Sequence, residues 1–198
     1  GLFDPLMGTL ICAAMATAIA APLGIAIAVW LSEYGRPYGL ARAAEAGVEM
    51  IAGAPSIVLA LFGVVIFTNP ALGFLSRTTN DGIVLGRSFF AAAAMLSLVA
   101  LPLIVGNKRE GLQAIPGHVS EASYAVGKSR WATIRRVLVP SCRPQIATGV
   151  VLGMGRVIGD TAIIVVLLGA SLQFFPADDG LPGLSVLRGT GSTLTNYV

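Results

Sequence analysis

The chain of 198 residues carries 55% hydrophobic and only 12% charged residues, with a mean hydropathy of +0.81. A water-soluble domain of this length could not fold with that composition without exposing a large apolar surface. The formal net charge of +3 gives no case for nucleic-acid binding, which needs a basic patch on a soluble surface. The composition therefore predicts an integral membrane protein.

Four stretches are long and apolar enough to cross a hydrocarbon core about 30 Å thick, which takes about 20 residues per helix. In chain order the predicted spans cover residues 5–31, 48–67, 89–105 and 146–172. The first is too long, and too free of a basic leader, for a secretory signal peptide. We therefore expect an all-α polytopic protein with a single transmembrane domain over residues 1–198.

The orientation follows from the lysines and arginines in the connections, since cationic loops are retained on the cytoplasmic side. Two alternate connections hold nine of these cations, namely Arg36, Arg42, Lys108, Arg109, Lys128, Arg130, Arg135, Arg136 and Arg143. The opposite side holds three, namely Arg77, Arg87 and Arg188. This asymmetry predicts a multi-pass protein of the inner (plasma) membrane whose N-terminal residue and final segment face outward.

The two cysteines and the single histidine carry no predicted chemistry. Cys12 lies inside an apolar span and Cys142 at the cytoplasmic mouth of another, so we expect no disulfide between them. His118 stands in a cytoplasmic loop without cysteine or histidine neighbours. The sequence therefore predicts no metal site.

The cytoplasmic loop of residues 107–143 is too long and too patterned for a simple tether. Ser120 can cap a helix that begins at Glu121, and Gly127 is well placed to end that helix. A second helix can begin near Arg130 and stop before Pro140. Its apolar face would hold Trp131, Ile134 and Leu138. Two short helices joined at a glycine elbow predict a protrusion on the cytoplasmic face to which a partner protein docks. The alternative interpretation of this loop is an amphipathic helix that lies on anionic headgroups.

The fourth predicted span contains Arg156 and Asp160 near the middle of an otherwise apolar helix. Each ionised side chain there costs about 2.5 to 3.5 kcal/mol on insertion scales, so such residues usually face a bundle interior or an aqueous path. Their spacing of four places both on one helical face. They could simply neutralise each other as a packing pair. In the functional interpretation Arg156 lines a path and meets an anion, while Asp160 orients the guanidinium.

Glu121-Ala122-Ser123, followed by Gly127, Ile134 and Val139-Pro140, resembles the EAA loop of permease subunits of ATP-binding-cassette (ABC) importers. In that family the loop inserts as a coupling helix into a cleft of the ATP-hydrolysing subunit. The family commonly has alanine at the position of Ser123 and leucine at that of Val139, and both departures are conservative. The resemblance implies that Glu121, Ala122, Gly127, Ile134 and Pro140 form the ATPase-coupling loop.

The segment from Arg156 through Gly159 and Asp160 to Ala162 resembles the Arg-x-x-Gly-Glu-Thr/Ala signature of the phosphate importer's permeases, PstA and PstC. In that family the arginine and the acidic residue are implicated in phosphate passage, and they fall on Arg156 and Asp160. Asp160 is one methylene shorter than the usual glutamate.

Two further resemblances concern residues outside that signature. The sequence Gly53-Ala-Pro-Ser56 is similar to the opening of another span of these permeases, where we expect a proline bend. Residues 161–169 and 186–197 look closer to PstA than to PstC.

The resemblance implies the transmembrane domain of a type I ABC importer that carries phosphate by alternating access. Such permeases usually have one span before the position of Gly1 and one after Val198, so four of an expected six spans are present. The implied partners are a second, PstC-like permease, an ATPase dimer that holds ATP and Mg, and an extracytoplasmic phosphate-binding protein. The chain itself has no phosphate-cradling P-loop, so we expect no catalysis and no cofactor within it.

Three alternatives stay open at this point. The chain could be an ABC permease for another anion or a small polar solute, because residues from the partner subunit also shape the path. It could be an ion-coupled secondary transporter, which would use membrane carboxylates such as Asp160 as relays. It could also be a membrane scaffold in which Arg156 and Asp160 only pack.

Overall fold

The computed structural model describes residues 3–35, 38–75 and 86–168, together with Thr193. Every regular element in these ranges is helical, as the sequence predicts. The helices are α1 (Phe3–Val29), α2 (Tyr38–Gly53), α3 (Ser56–Phe67), α4 (Phe89–Gln113), α5 (Gly117–Ala125), α6 (Arg130–Thr133), α7 (Val139–Ser141), α8 (Arg143–Ile158) and α9 (Thr161–Leu168). Two π-helical turns, Trp30–Tyr34 and Ile134–Leu138, extend α1 and α6, and a 3₁₀ turn covers Pro70–Leu75.

Helix α4 is the centre of the bundle, since it contacts α1, α2, α3, α8 and α9. Small side chains let α1 and α4 approach each other closely, which is how membrane helices gain packing energy without a hydrophobic driving force. A Cβ added at Gly24 of α1 would lie 2.7 Å from Ile104 Cγ2 of α4. The buried core between these helices and their neighbours includes Cys12, Ala13, Ala16, Ala20, Ala91, Ala92, Ala93, Leu96, Ala100 and Ile104.

The predicted second span over residues 48–67 is wrong as one continuous helix. Helices α2 and α3 meet at a bend of 109°. Pro55 has an extended backbone conformation (φ −61°, ψ 131°), and a proline disfavours the helical conformation of the residue before it. The predicted proline bend is therefore confirmed, and it makes this segment a broken span or a re-entrant loop.

The predicted fourth span, residues 146–172, is also divided. Helix α8 begins earlier, at Arg143, and ends at Ile158, after which α9 begins at Thr161. Residues 169–172 lie outside the described ranges. The backbone N–H of Ile163 donates to Asp160 Oδ1 at 3.2 Å, so Asp160 is the N-cap residue that starts α9.

The glycines of α8 explain how that helix packs on α4. A Cβ added at Gly149 would lie 3.3 Å from Ile104 Cα, and one added at Gly153 would lie 3.3 Å from Ile104 Cγ1. Gly155 has no described atom within 4 Å of such a position. Gly149 and Gly153 therefore serve the contact with α4, and Gly155 does not.

Two helices of the described ranges are long and apolar enough to cross a membrane alone, namely Leu6–Tyr34 and Phe89–Gln113. The number rises to four when each bent pair counts as one span. The second pair joins Arg130–Ser141 to Arg143–Ile158 at 68°. Helix α4 continues to Gln113, past the predicted end of the third span at Val105.

Candidate functional site

Three polar side chains meet where α3 begins and where α8 gives way to α9. Arg156 Nη1 donates to Asp160 Oδ2 at 3.2 Å, and Arg156 Nη2 donates to Ser56 Oγ at 3.2 Å. Ser56 Oγ in turn donates to the same carboxylate oxygen, Asp160 Oδ2, at 2.5 Å. The predicted proximity of Arg156 and Asp160 is therefore confirmed, and Ser56 joins them in what we call the polar cluster.

Asp160 is the buried member of the polar cluster, with only 2% of its side chain exposed. Its Oδ2 accepts from Arg156 and Ser56, while its Oδ1 caps α9. A buried carboxylate is tolerated when it is paired and its lone pairs are satisfied, and removing one partner of such a pair costs about 3–5 kcal/mol. Asp160 therefore needs these contacts, and they fix the junction between α3, α8 and α9.

Arg156 is the accessible member, with 45% of its side chain exposed. A guanidinium has five N–H donors in a planar fork, and those beyond the two named bonds have no partner among the described residues. Helices α3 and α9 both begin at the cluster, so their N-terminal partial positive charges add to the field there. An anion that approaches from the exposed side would therefore contact Arg156 before it reached the buried Asp160.

The surroundings of Arg156 argue against direct lipid contact. Leu152, one turn earlier on the same face of α8, is exposed by 49%, so the arginine has an apolar neighbour on this face. A lipid-facing arginine near mid-membrane costs about 2.5 to 3.5 kcal/mol on insertion scales. This face of α8 therefore fits an aqueous path or a covering subunit better than lipid.

Ser56 is the functional candidate that sequence reasoning missed. It directly follows the proline of the bend, and its hydroxyl reaches Arg156 across 100 positions of sequence. The Ala-Pro-Ser pattern was the available signal, because it placed a hydroxyl at the first turn of a helix beside a predicted break. Nothing local indicated that the partner of this hydroxyl would be Asp160.

The second candidate region is the loop between α4 and α8. Its first helix, α5, begins at Gly117 directly after Pro116, whose backbone is extended. The prediction that Ser120 caps a helix starting at Glu121 is therefore wrong. Ser120 Oγ lies inside α5 and donates to the Gly117 carbonyl at 2.8 Å. The physical reason is that the extended Pro116 occupies the N-cap position, so α5 begins at Gly117, three residues before the serine.

Gly127 forms the predicted elbow, with φ +76°. The N–H of Gly127 donates to the Tyr124 carbonyl at 2.9 Å, and the N–H of Lys128 donates to the Ser123 carbonyl at 3.2 Å. This pair of bonds is the Schellman motif, in which a left-handed glycine ends a helix. Ser129 then caps α6 by accepting from the Ala132 N–H at 3.4 Å, which confirms the predicted start of the second helix.

A buried hydroxyl pair closes the elbow. The Oγ of Ser123 and the Oγ1 of Thr133 lie 2.9 Å apart, and both residues are buried. This contact explains the serine where the EAA loop commonly has alanine, because Thr133 supplies the partner that a buried hydroxyl requires. Helices α5 and α6 are therefore held face to face.

The prediction that the second helix stops before Pro140 is also wrong. The chain passes from α6 through the π-helical turn Ile134–Leu138 into α7, which contains Pro140. Proline clashes with the carbonyl four residues earlier in an α-helix, and a π-helical turn widens the backbone at such places. The helical path instead ends at Cys142, where it bends by 68° into α8.

The elbow is anchored to both long helices by a small apolar core. Ile134, Leu138 and Cys142 are buried against Val29 at the end of α1 and Leu112 at the end of α4. Arg130 adds a polar link, with its Nε 3.9 Å from Glu33 Oε2 and its guanidinium carbon 4.6 Å from the centre of the Tyr34 ring.

Among the other predicted coupling residues, Glu121, Ala122 and Gly127 are exposed and Pro140 is half-buried. Within the described ranges, no group of three or more histidine, cysteine, aspartate or glutamate side chains could hold a metal ion. Cys12 and Cys142 are buried free thiols.

The sequence matches the family described as "Binding-protein-dependent transport system inner membrane component" over residues 20–181. The chain belongs to this family. Together with its apolar helices, this membership makes it a multi-pass membrane protein.

Two curated relatives are phosphate permeases by name. The chain is 39% identical over 171 residues to the "Phosphate transport system permease protein PstA 1" of Mycobacterium tuberculosis, covering 86% of this chain and 52% of that protein. It is 30% identical over 186 residues to the "Phosphate transport system permease protein PstC" of Haemophilus influenzae, covering 87% of this chain and 59% of that protein. The chain thus spans between half and two-thirds of these relatives' lengths.

A solved structure supports the same fold. The MetNI methionine ABC transporter, in an inward-facing conformation, superposes with a TM-score of 0.59 at 22% identity, covering 80% of this chain and 68% of that one. The resemblance to ABC permeases and the type I importer fold are confirmed by these matches, which do not favour an ion-coupled transporter or a scaffold.

Replacing Ser56 by alanine tests the polar cluster. Ser56→Ala removes one donor to the buried Asp160 carboxylate, so the free energy of unfolding should fall by about 1–3 kcal/mol. Thr148→Ala is the matched control, because Thr148 Oγ1 only donates to the Pro144 carbonyl of its own helix. Thermal unfolding can be followed by a thiol-reactive dye as the two buried cysteines become accessible. Equal stability of the two variants would contradict the described geometry.

Replacing Gly127 tests the elbow. Gly127→Val forces a β-branched residue into a left-handed conformation, which should destabilise the elbow by about 1–2 kcal/mol, whereas Gly127→Asn should be milder because asparagine tolerates this conformation. Limited trypsin digestion read by mass spectrometry should show faster cleavage after Lys128 and Arg130 in Gly127→Val. Equal cleavage rates in the two variants would show that the positive φ is not what holds the elbow.

Proposed function

We propose that the chain is one permease subunit of an ABC importer that moves inorganic phosphate across the inner membrane by alternating access. The single observation that carries this proposal is the half-exposed guanidinium of Arg156 inside an apolar helix, held by Ser56 and the buried Asp160. Phosphate specificity is supported by the names of the relatives, PstA and PstC. In this proposal the polar cluster is a site at which phosphate binds transiently on its path across the membrane.

The chemistry of the polar cluster suits passage of an anion. A planar guanidinium can give paired hydrogen bonds to two oxygens of a phosphate. Asp160 neutralises part of the arginine's charge at 3.2 Å, which weakens binding of the anion. Transport requires such a compromise, because a site that binds too tightly cannot release. In this proposal Arg156 contacts the phosphate and Asp160 is the positioning residue.

The proposed partners follow the family. A second, PstC-like permease completes the central path, and an extracytoplasmic phosphate-binding protein delivers the substrate. An ATPase dimer holds ATP and Mg, so this chain hydrolyses nothing and needs no cofactor. The exposed Glu121 and Ala122, beside the Gly127 elbow, would enter a cleft of the ATPase. Ile134 and Pro140 belong to the helical path that joins the elbow to α8.

The coupling step has a structural basis in the anchored elbow. The buried cluster of Val29, Leu112, Ile134, Leu138 and Cys142 ties the elbow to α1 and α4. A tightly packed core transmits a displacement instead of absorbing it. Closure of the ATPase dimer would therefore move the elbow and the helix bundle together, and so expose Arg156 alternately to the two sides.

Uptake measurements with substituted Arg156 test the phosphate path. The assembled transporter in proteoliposomes, with ATP on the ATPase side, should take up radiolabelled phosphate at least about tenfold more slowly with Arg156→Gln, because a charge-assisted hydrogen bond contributes about 1.5–3 kcal/mol. Arg156→Lys keeps the charge and loses the planar fork, so its rate should be intermediate. The matched control is Arg42→Gln, an exposed arginine of α2, which should transport normally.

Co-purification of the ATPase with each variant separates a path defect from an assembly defect. A native uptake rate in Arg156→Gln would overturn the role of Arg156 and leave only the family membership standing.

A further inference from the structure

A groove lies between the end of α1 and the helical segment Arg130–Ser141, which follows the elbow. Pro22 and Val29 lie on its α1 wall, and Trp131, Ile134 and Val139 on the opposite wall. Its volume of about 570 Å³ is within the range of about 300–1,000 Å³ found for ligand pockets. We call it the α1–elbow groove, and neither the polar cluster nor the proposed docking of the ATPase uses it.

We propose that the α1–elbow groove binds an anionic glycerophospholipid from the cytoplasmic leaflet, the side on which the basic loops are predicted to lie. The acyl chain lies along α1 and the headgroup meets Arg135 at the mouth. This inference rests on the membrane location of the chain and is independent of which solute the transporter carries.

The depth of the groove fits an acyl chain. Its lining extends along α1 from Pro22 to Tyr34, which at about 1.5 Å per residue is about 18 Å. Half of a hydrocarbon core is about 15 Å thick. A chain anchored at the interface would therefore find an apolar wall over the whole depth of its leaflet.

The lining of the groove also contains residues typical of a headgroup region. Trp30, Tyr34 and Trp131 line the groove, and tryptophan and tyrosine are enriched where membrane meets water. Arg135 also lines it and is exposed, with Arg136 next to it in sequence. Glu33, an acidic side chain nearby, is paired with Arg130 at 3.9 Å, so it does not oppose an anionic headgroup.

The arrangement favours a lipid over a soluble anion. A free anion would use Arg135 and gain nothing from the apolar walls, whereas a phospholipid uses both, at about 0.8 kcal/mol per buried methylene group. Because Ile134 lines the groove and also belongs to the core that anchors the elbow, a bound lipid would brace the elbow against α1.

Photo-crosslinking tests the assignment. The assembled transporter is placed in phosphatidylcholine nanodiscs that contain phosphatidylglycerol with a diazirine in its acyl chain, irradiated, digested and analysed by mass spectrometry. The crosslinks should map to residues 22–34 and 131–139. Arg135→Gln should lower the yield several-fold, while the matched control Arg136→Gln, which does not line the groove, should not. Filling the groove with Ala26→Trp should abolish these crosslinks.

Crosslinks that avoid both segments would overturn the proposal, since a polypeptide would then cover the groove. Equal yields from Arg135→Gln and Arg136→Gln, or from a phosphatidylcholine probe with the same diazirine, would overturn the anionic headgroup. Crosslinking yields are normalised to the amount of transporter that elutes as an intact complex, so a misfolded Ala26→Trp variant cannot count as support. If Ala26→Trp does not assemble, the comparison of Arg135→Gln with Arg136→Gln decides whether the proposal stands.

Discussion

The carboxylate of Asp160 is the interaction on which the arrangement of the membrane helices depends. It starts α9 as its N-cap, receives the hydroxyl of Ser56 from α3 and pairs with Arg156 of α8. A buried carboxylate is stable only while such partners satisfy it, so the break between α8 and α9 and the bend before α3 have to meet at one point. The same contacts leave Arg156 on the accessible side. Asp160 therefore both fixes the junction of the three helices and positions Arg156.

The elbow and the polar cluster are linked through shared helices. Helix α4 contacts α8 and α9, the two helices that carry Arg156 and begin at Asp160, and the end of α4 contributes Leu112 to the core beneath the elbow. Helix α8 follows α7, which continues from the elbow, and α8 carries Arg156 in its last turn. A rigid displacement of α8 at one end must consequently move Arg156 at the other. This connection would give the proposed alternating access a physical route that needs no conformational change within the helices.

Much of this architecture could be predicted from the sequence. Hydropathy located all four apolar regions, and the Gly127 elbow and the Arg156–Asp160 pair follow from local spacing.

The breaks within the spans are harder to predict, because a proline bend such as that at Pro55 can give either a kinked span or two helices at 109°. The sequence predicts Asp160 as a charge within a span, and the role of Asp160 as a cap depends on a helix end that apolar periodicity does not reveal. Ser56 joins the site only through tertiary contact. The start of α5 directly after Pro116 and the helical backbone at Pro140 depend on local backbone geometry.

The most direct test of the central claim is the water accessibility of position 156 in the assembled transporter. Arg156→Cys, in a background with Cys12→Ala and Cys142→Ala, is exposed to a charged, water-soluble thiol reagent. Val165→Cys is the control, since Val165 is 39% exposed on an apolar helix. The account predicts rapid modification of Arg156→Cys and little modification of Val165→Cys. Modification of Arg156→Cys no faster than that of Val165→Cys would contradict a path that passes Arg156.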